Sequence, residues 1–237
     1  MPNTSAASHL STSSVSPVII IMTGTTSFLL TFILYLFTLA PTVTFEDSGE
    51  LIAAAAQLGI PHQPGYPLWT LLSHLFTWLP FGDIAYRVNL ASAFFSAVGA
   101  AFSAWTFLLW LGLTHSPLLK KSSLSFLLSV LVAILSATAS EAWEQSVIAE
   151  VYGLHIFFTG LILLLTTLWL NDNSDHGRLR YFYLLSFVLG LSLSNHTTTL
   201  VLLPPLLILA FIADRNFILN LRRIIIAAGF MILGLTC

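Results

Sequence analysis

Seven apolar stretches of 16 to 25 residues follow one another along the chain, separated by shorter polar segments. A transmembrane α-helix needs about 20 predominantly apolar residues to cross the hydrocarbon core of a bilayer. The pattern therefore predicts an all-α, polytopic membrane protein with about seven spanning helices. The predicted spans are residues 18–40, 88–112, 124–140, 151–170, 180–195, 198–213 and 222–237.

The segment between the first two predicted spans, residues 41–87, contains two shorter amphipathic patterns. The first runs from Ser48 to Leu58 and is followed by glycine and proline, which commonly end helices. The second starts at Pro67, a residue type that a first helical turn tolerates, and stops before Pro80. Both are too short to span a bilayer, so we expect two amphipathic helices at the membrane interface in this first outer loop.

Charged residues separate onto the two sides of the predicted membrane. Seven of the eight basic residues lie in three loops on one side, which the positive-inside rule assigns to the cytoplasm. These residues are Lys120, Lys121, Arg178, Arg180, Arg215, Arg222 and Arg223. Seven of the ten acidic residues lie on the opposite side, namely Glu46, Asp47, Glu50, Asp83, Glu141, Glu144 and Glu150. The acidic chemistry of the chain is therefore predicted on the non-cytoplasmic face.

Composition narrows the class of protein further. Hydrophobic residues make up 57% and charged residues 8% of the 237 residues, whereas soluble domains contain about 25% charged residues. No basic or aromatic pattern indicates nucleic-acid binding, and membrane lipid is the expected surrounding. The single cysteine, Cys237, excludes an internal disulfide framework and a thiolate metal site.

Two parts are expected along the chain. Residues 1–16 are rich in Ser and Thr and lack Lys and Arg, which predicts a disordered cytosolic tail rather than a cleaved signal peptide. Residues 17–237 form the predicted multi-spanning membrane domain. Because the last apolar stretch reaches Cys237 without flanking polar residues, we expect this domain to be truncated at its C-terminus.

An acidic cluster follows the first apolar stretch directly. Glu46, Asp47 and Glu50 lie within five positions, and the last two share a face of the predicted helix. One interpretation is helix capping, because Thr44 and Asp47 match a capping box. The other is a functional site, because carboxylates beside hydrocarbon are costly and usually have a purpose. The spacing alone leaves both open.

Three further polar residues lie near the predicted outer ends of spans. His62 stands between two prolines in "IPHQPGYP", and His196 follows Asn195 in a short turn. A structural role in a turn is as plausible for these residues as a ligand-binding role. Glu150 directly precedes an apolar helix, which is harder to explain by solvation alone.

Four segments of the chain resemble one family of membrane proteins. They read "APTVTFEDSGELIAAAAQLGIPHQPGYPLWTLL", "YRVNL", "AEVYGLHIF" and "LGLSLSNHTT", in this order. They are similar to the N-terminal membrane part of the transmembrane protein 260 family, which are protein O-mannosyltransferases built on the domain of unknown function 2723. The similarity covers about Thr31 to Cys237.

The resemblance implies part of a glycosyltransferase fold of the C type, with its active site on the lumenal face of the endoplasmic reticulum membrane. It implies dolichyl phosphate mannose as the lipid-linked sugar donor and no further cofactor. The implied acceptors are Ser or Thr hydroxyls of lumenal or extracellular receptor domains. In this fold a carboxylate of the first outer loop serves as the base, and Asp47 is the matching position.

With this resemblance, roles can be assigned to the candidate residues. A Ser or Thr hydroxyl is a poor nucleophile and needs a positioned base, whose pKa burial beside lipid would raise toward a useful value. We predict that Asp47 is this base and that Glu50 orients the acceptor or binds sugar hydroxyls.

The leaving lipid phosphate carries developing negative charge that must be stabilised. Arg87 is predicted to do this, because its planar guanidinium matches phosphate oxygens. His62, Tyr66, Glu150 and His196 complete the predicted substrate-binding and donor-binding set. The chain has no Asp-x-Asp metal motif, which favours a metal-independent enzyme.

Two other functions agree with the same pattern. A polytopic transporter could use these acids and histidines as an ion or substrate path, although transporters usually place polar groups near the midplane of the membrane. A non-catalytic, truncated fragment of such an enzyme would carry every motif and lack activity.

Overall fold

The computed structural model describes residues 16–114 and 122–236, and all regular elements within these ranges are helical. The first seven helices are α1 (Pro17–Thr38), α2 (Ser48–Gln57), α3 (Pro67–Phe76), α4 (Ile84–Leu113), α5 (Ser122–Ala137), α6 (Ser140–Ser146) and α7 (Tyr152–Asn171). They are followed by α8 (Asp175–Asn195), a 3₁₀ helix (Thr197–Leu202), α9 (Leu203–Ala213), α10 (Arg215–Ile218) and α11 (Leu221–Leu235). The described residues leave out residues 1–15 of the predicted tail, the predicted loop lysines Lys120 and Lys121, and Cys237.

Three of these helices, α1, α4 and α7, are long and apolar enough to cross a membrane. A fourth span results if α5 and α6, which are bent by 74° at the break between them, count as one. The prediction of an all-α membrane protein is confirmed. Among the described residues, α8, α9 and α11 do not meet the same test, so the count of seven spans stays a prediction.

The two short helices predicted in the first outer loop are confirmed as α2 and α3. Helix α2 ends at Gln57, one residue before the predicted end, and Leu58 adopts the left-handed conformation with φ of 53°. The next amide, that of Gly59, donates to the carbonyl of Ala54 at 2.9 Å and completes the helix end.

Helix α7 packs against both α4 and α8. Close approach to α4 depends on glycine, because a Cβ atom at Gly160 would lie 2.6 Å from the carbonyl oxygen of Gly99. A Cβ atom at Gly153 would lie 2.8 Å from the backbone of Ser92. Small residues at a helix crossing allow this close packing in a membrane, where burial of apolar surface provides little drive.

The larger apolar core joins the two short helices to the long ones. Trp69 of α3 is fully buried in it, and its indole N–H donates to the carbonyl of Glu150 at 3.1 Å. The hydroxyl of Ser92 in α4 donates to the same carbonyl at 3.2 Å. These contacts hold the α6–α7 turn against α3 and α4 and thereby position the polar groups described next.

Candidate active site

Four segments that are distant in sequence meet at one end of the bundle. They are the start of α2, the loop before α3, the turn before α7 and the turn after α8. Six of the seven predicted site residues lie here, namely Asp47, Glu50, His62, Tyr66, Glu150 and His196. We call these six residues the outer cluster.

His62 lies between the two carboxylates of α2. Its Nε2 atom is 3.6 Å from Oδ2 of Asp47, and its Nδ1 atom is 3.2 Å from Oε2 of Glu50. Glu50 also accepts a hydrogen bond of 2.6 Å from the backbone amide of His62. The loop before α3 is therefore fastened to α2 through Glu50.

The capping-box interpretation of Thr44 and Asp47 is wrong, because the buried hydroxyl of Thr44 has no hydrogen-bond partner. Asp47 is the N-cap residue of α2, but its side chain makes no capping hydrogen bond. Its carboxylate faces His62 instead, and its side chain is 60% exposed. Asp47 is thus within reach of a hydroxyl carried by another molecule, while the burial that we expected around it surrounds Glu150.

Aromatic rings connect this part of the cluster to the turn after α8. The Tyr66 hydroxyl lies 3.5 Å from Nε2 of His62, and the Tyr66 ring lies parallel to the His196 ring with centroids 6.5 Å apart. Tyr66 has φ of 40°, a conformation that costs energy for a non-glycine residue. Burial, and then the nearby Tyr152, Glu150 and Asp47, raises the pKa of the Tyr66 hydroxyl.

Glu150 is the buried acid of the cluster and is only 5% exposed. Loss of solvation is the largest effect on it and, together with the charges of Asp47 and Glu46, raises its pKa to about 7. A backbone hydrogen bond from Val151 and the proximity of His62 oppose the rise. At neutral pH this carboxyl is therefore divided between its protonated and ionised forms.

Arg87 is the predicted site residue that the structure places elsewhere. Its guanidinium donates to the carbonyl oxygens of Thr77 at 2.8 Å, Phe81 at 2.8 Å and Gly82 at 2.7 Å. These bonds fasten the turn between α3 and α4. No hydrogen bond or ion pair between described residues joins Arg87 to the outer cluster.

Three residues that the structure places in the site were assigned no role there from the sequence. The rings of Tyr152 and His155 lie 5.0 and 5.5 Å from that of His196. The buried Asn195 amide donates to the Val151 carbonyl at 3.3 Å and joins the turn after α8 to the start of α7. The signal available was position, since Tyr152 and His155 follow Glu150 within two helical turns.

A cavity of about 390 Å³ opens beside these residues, between α6 and α7. Its polar lining comes from Glu141, Gln145, Tyr152 and His155. The buried Oε1 of Gln145 and Nδ1 of His155 have no hydrogen-bond partner. Buried polar atoms without partners are costly, so this cavity suits a ligand that offers several hydroxyl groups.

Asp47, Glu50 and His62 are also close enough to one another to bind a single metal ion. One ligand atom each from Asp47, Glu50 and His62 lies within 4.8 Å of the other two, and all three residues are exposed. The set is compatible with a divalent cation, since carboxylate and imidazole are common ligands. Metal independence therefore stays a prediction that chelation tests.

Residues 47–218 match a protein family described as "Protein O-mannosyl-transferase TMEM260 N-terminal domain". The chain belongs to this family. The matched range begins at Asp47 and contains all of the outer cluster together with Arg87, Tyr152, His155 and Asn195. The family resemblance read from the sequence is thereby confirmed.

Two curated relatives of the TMEM260 family are similar over most of the chain. Protein O-mannosyl-transferase TMEM260 of Mus musculus is 36% identical over 179 residues, covering 74% of this chain and 24% of the relative. Protein O-mannosyl-transferase tmem260 of Dictyostelium discoideum is 27% identical over 217 residues, covering 86% of this chain and 25% of the relative. The chain spans about a quarter of the length of these relatives. No solved structure matches it.

Proposed function

We propose that this chain carries the catalytic face of a protein O-mannosyltransferase. It transfers mannose from dolichyl phosphate mannose to Ser or Thr hydroxyls of receptor domains, at the lumenal face of the endoplasmic reticulum membrane. The proposal includes seven spans arranged in a glycosyltransferase fold of the C type. The observation that carries it is the convergence of the outer cluster from four separate segments, beside a cavity with unpartnered polar atoms. Family membership favours the transferase over the transporter.

Asp47 acts as the base in this proposal. The acceptor oxygen forms a bond to C1 of mannose while the bond from C1 to the phosphate oxygen breaks. The hydroxyl proton passes to Asp47, and the lipid phosphate leaves with its bonding electron pair. Exposure of the Asp47 side chain suits this role, because the acceptor hydroxyl arrives on a large protein. Glu50 positions His62 beside Asp47.

Glu150 serves the donor rather than the acceptor. An ionised carboxylate would repel the phosphate of the donor, whereas a protonated one donates a hydrogen bond to a phosphate or sugar oxygen. Its pKa of about 7 leaves a large protonated fraction at neutral pH. Tyr66 and His196 border the same space and complete donor binding.

The cavity between α6 and α7 is proposed to hold the mannosyl group. The unpartnered atoms of Gln145 and His155 would gain hydrogen bonds from sugar hydroxyls. The phosphate role predicted for Arg87 stays a prediction, and the proposal does not depend on it. Neither does it require a metal, although chelation that abolished transfer would assign an ion to Asp47, Glu50 and His62.

A transfer assay tests the proposal. The purified chain would be given labelled dolichyl phosphate mannose and a receptor-domain acceptor, with Asp47→Asn as the variant. Removal of a general base lowers transfer by about 10²- to 10⁴-fold. Glu144→Gln, which neutralises an exposed acid in α6, is the matched control and is expected to retain the wild-type rate.

Two outcomes would change the assignment. Transfer that survives Asp47→Asn but disappears in Glu150→Gln would move the base to Glu150. Donor binding without any transfer by the wild-type chain would instead support the non-catalytic fragment.

A further inference from the structure

A second cavity lies at the opposite end of the bundle and is lined by residues of α7, α8, α9, α10 and α11. Its volume is about 340 Å³. Its lining is almost entirely hydrocarbon and includes Trp169, Leu189, Leu207, Ile224, Ala228 and Met231. This cavity shares no residue with the outer cluster or with the cavity beside it.

The hydroxyl groups in the lining of this cavity are already satisfied. Thr166 donates to the carbonyl of Ile162 at 2.7 Å, and Ser186 donates to that of Phe182 at 2.9 Å. A cavity whose hydroxyls need no partner and whose walls are apolar does not retain water well. It suits an aliphatic chain.

One polar group of the lining remains unsatisfied. The indole N–H of Trp169 is buried and has no hydrogen-bond partner, and the residue is 2% exposed. An indole nitrogen can only donate. A ligand that fills this cavity is therefore expected to bring an acceptor oxygen to Trp169.

Two arginines lie near the end of the cavity at which Trp169 lies. The guanidinium carbon of Arg178 is 5.3 Å from the centre of the Trp169 ring and 4.5 Å from that of Phe217. The guanidinium carbon of Arg223 is 4.2 Å from the same Phe217 ring. Arg223 directly precedes Ile224 of the lining, and the exposed Arg222 stands next to it.

Acidic groups do not fully balance these cations. Among the described residues, the salt bridge that involves an arginine joins Arg178 to Asp214 at 2.8 Å. The same Asp214 accepts a hydrogen bond from the backbone of Phe217. Arg222 and Arg223 therefore leave positive charge beside the apolar cavity.

This end is far from the outer cluster. Tyr152 lies at the first turn of α7 and Trp169 near its last, and an α-helix rises 1.5 Å per residue, so they are about 25 Å apart. A lipid whose head group sits among the arginines cannot place that head group in the outer cluster.

We propose that this cavity binds an anionic diacyl phospholipid. One acyl chain fills the space between α8, α9 and α11, and an ester or phosphate oxygen accepts the Trp169 N–H. The phosphate lies against Arg222 and Arg223. Basic pockets between spanning helices at the cytoplasmic surface are known to suit anionic head groups, and the positive-inside rule assigns this end to the cytoplasm.

Native mass spectrometry of the detergent-solubilised chain tests the proposal, with phosphatidylglycerol and phosphatidylcholine as probes. We expect the wild type to bind phosphatidylglycerol at least about tenfold more tightly than phosphatidylcholine. One well-placed charged contact is enough to change a dissociation constant by about tenfold. Arg222→Gln combined with Arg223→Gln should remove this preference while leaving weak binding of both lipids.

Adjacent positions of α11 provide a matched pair of variants. Ala228→Phe places a ring in the cavity and should abolish binding of both lipids. Gly229→Phe is the control, because a Cβ atom at Gly229 meets nothing within 4 Å. Helical circular dichroism shows whether each variant folds. Quenching of tryptophan fluorescence by phosphatidylglycerol with brominated acyl chains gives a second reading, which Trp169→Phe should weaken.

Three results would overturn the proposal. The first is equal retention of the two phospholipids by the wild type. The second is a dimer that excludes phosphatidylglycerol, which would assign the cavity to a second copy of the chain. The third is displacement of phosphatidylglycerol by dolichyl phosphate at lower concentration, which would assign the cavity to the sugar donor.

Discussion

The two ends of α7 collect opposite kinds of chemistry. Around the first turn of α7 lie Glu150, His155 and His196, whose side chains can gain or lose a proton. Near the last turn of α7 lie Arg178 of α8 and Arg223 of α11, and a guanidinium group stays positively charged in proteins. One helix thus joins a titratable site to a permanently cationic one.

The two ends also differ in how their polar groups are compensated. The arginines lie over aromatic rings, which attract cations without neutralising them. At the acidic end, burial raises the pKa of Glu150 to about 7. Buried polar atoms without hydrogen-bond partners occur at both ends, on Gln145 and His155 at the acidic end and on Trp169 at the other. Buried polar atoms without hydrogen-bond partners are typical of ligand-binding sites without their ligand. The proposed catalytic end and the proposed lipid-binding end therefore differ in their charged groups, and both have polar atoms that a ligand could satisfy.

The largest expected effect on stability comes from forcing α4 and α7 apart. This change should also weaken ligand binding at both ends of α7. Gly160→Leu introduces atoms where even a Cβ would lie 2.6 Å from the Gly99 carbonyl oxygen. Overpacking of this kind costs about 1–3 kcal/mol. Thermal unfolding in detergent would measure it as a lower midpoint, accompanied by weaker donor and phospholipid binding.

Gly229→Leu is the control for this change, because it adds the same side chain where the helix faces open space. It should leave the unfolding midpoint unchanged or raise it slightly, since leucine favours a helix over glycine by about 0.5–1 kcal/mol. Equal destabilisation by both substitutions would show that the α4–α7 contact does not hold the two ends together.

A smaller effect separates the two ends by pH. Because the pKa of Glu150 is raised to about 7, its neutral form predominates below pH 7 and its charge develops as pH rises through that value. Affinity for dolichyl phosphate mannose should therefore fall by about tenfold from pH 6 to pH 8, the size expected for one repulsive contact. Phospholipid binding at the arginines should not change over this range.

Glu150→Gln sharpens the same comparison, because the amide is neutral at every pH and still donates a hydrogen bond. Equilibrium binding of the donor should become independent of pH between 6 and 8. A fall in affinity that persists in Glu150→Gln would attribute the pH response to another group of the outer cluster.

The smallest expected effect is confined to the arginine end. Arg178→Ala removes the ion pair with Asp214 and the contacts with Trp169 and Phe217. Partly exposed cation–π and salt-bridge contacts contribute about 1 kcal/mol together. Chemical denaturation should show this loss, while mannose transfer by the folded protein stays at the wild-type rate. Reduced transfer would mean that the two ends are coupled.

Much of the outer cluster was predictable because its members are unusual for where they lie. Asp47, Glu50 and His62 are polar residues beside apolar segments, and the structure brings them into contact. Arg87 satisfied the same criterion and is bonded instead to carbonyls of its own turn. Residue type and predicted side therefore indicated where polar groups gather, but not which groups pair.

The sequence by itself determined the class of protein and the position of its helices. Runs of apolar residues and the helical period are local properties, so α2, α3 and the long helices could be predicted from neighbouring residues. The family followed from motifs that fall in order along the chain, and the match to residues 47–218 agrees with it.

Only the tertiary structure decided that Glu150 is buried, that Tyr66 lies parallel to His196, and that Trp169 faces an apolar cavity. The first two facts depend on contacts between residues about 80 to 130 positions apart, such as that of Trp69 with Glu150. The third depends on helices that follow α7 along the chain. A local pattern carries no information about such pairs. Desolvation, and with it the pKa of Glu150, is set by what the rest of the fold places around the side chain.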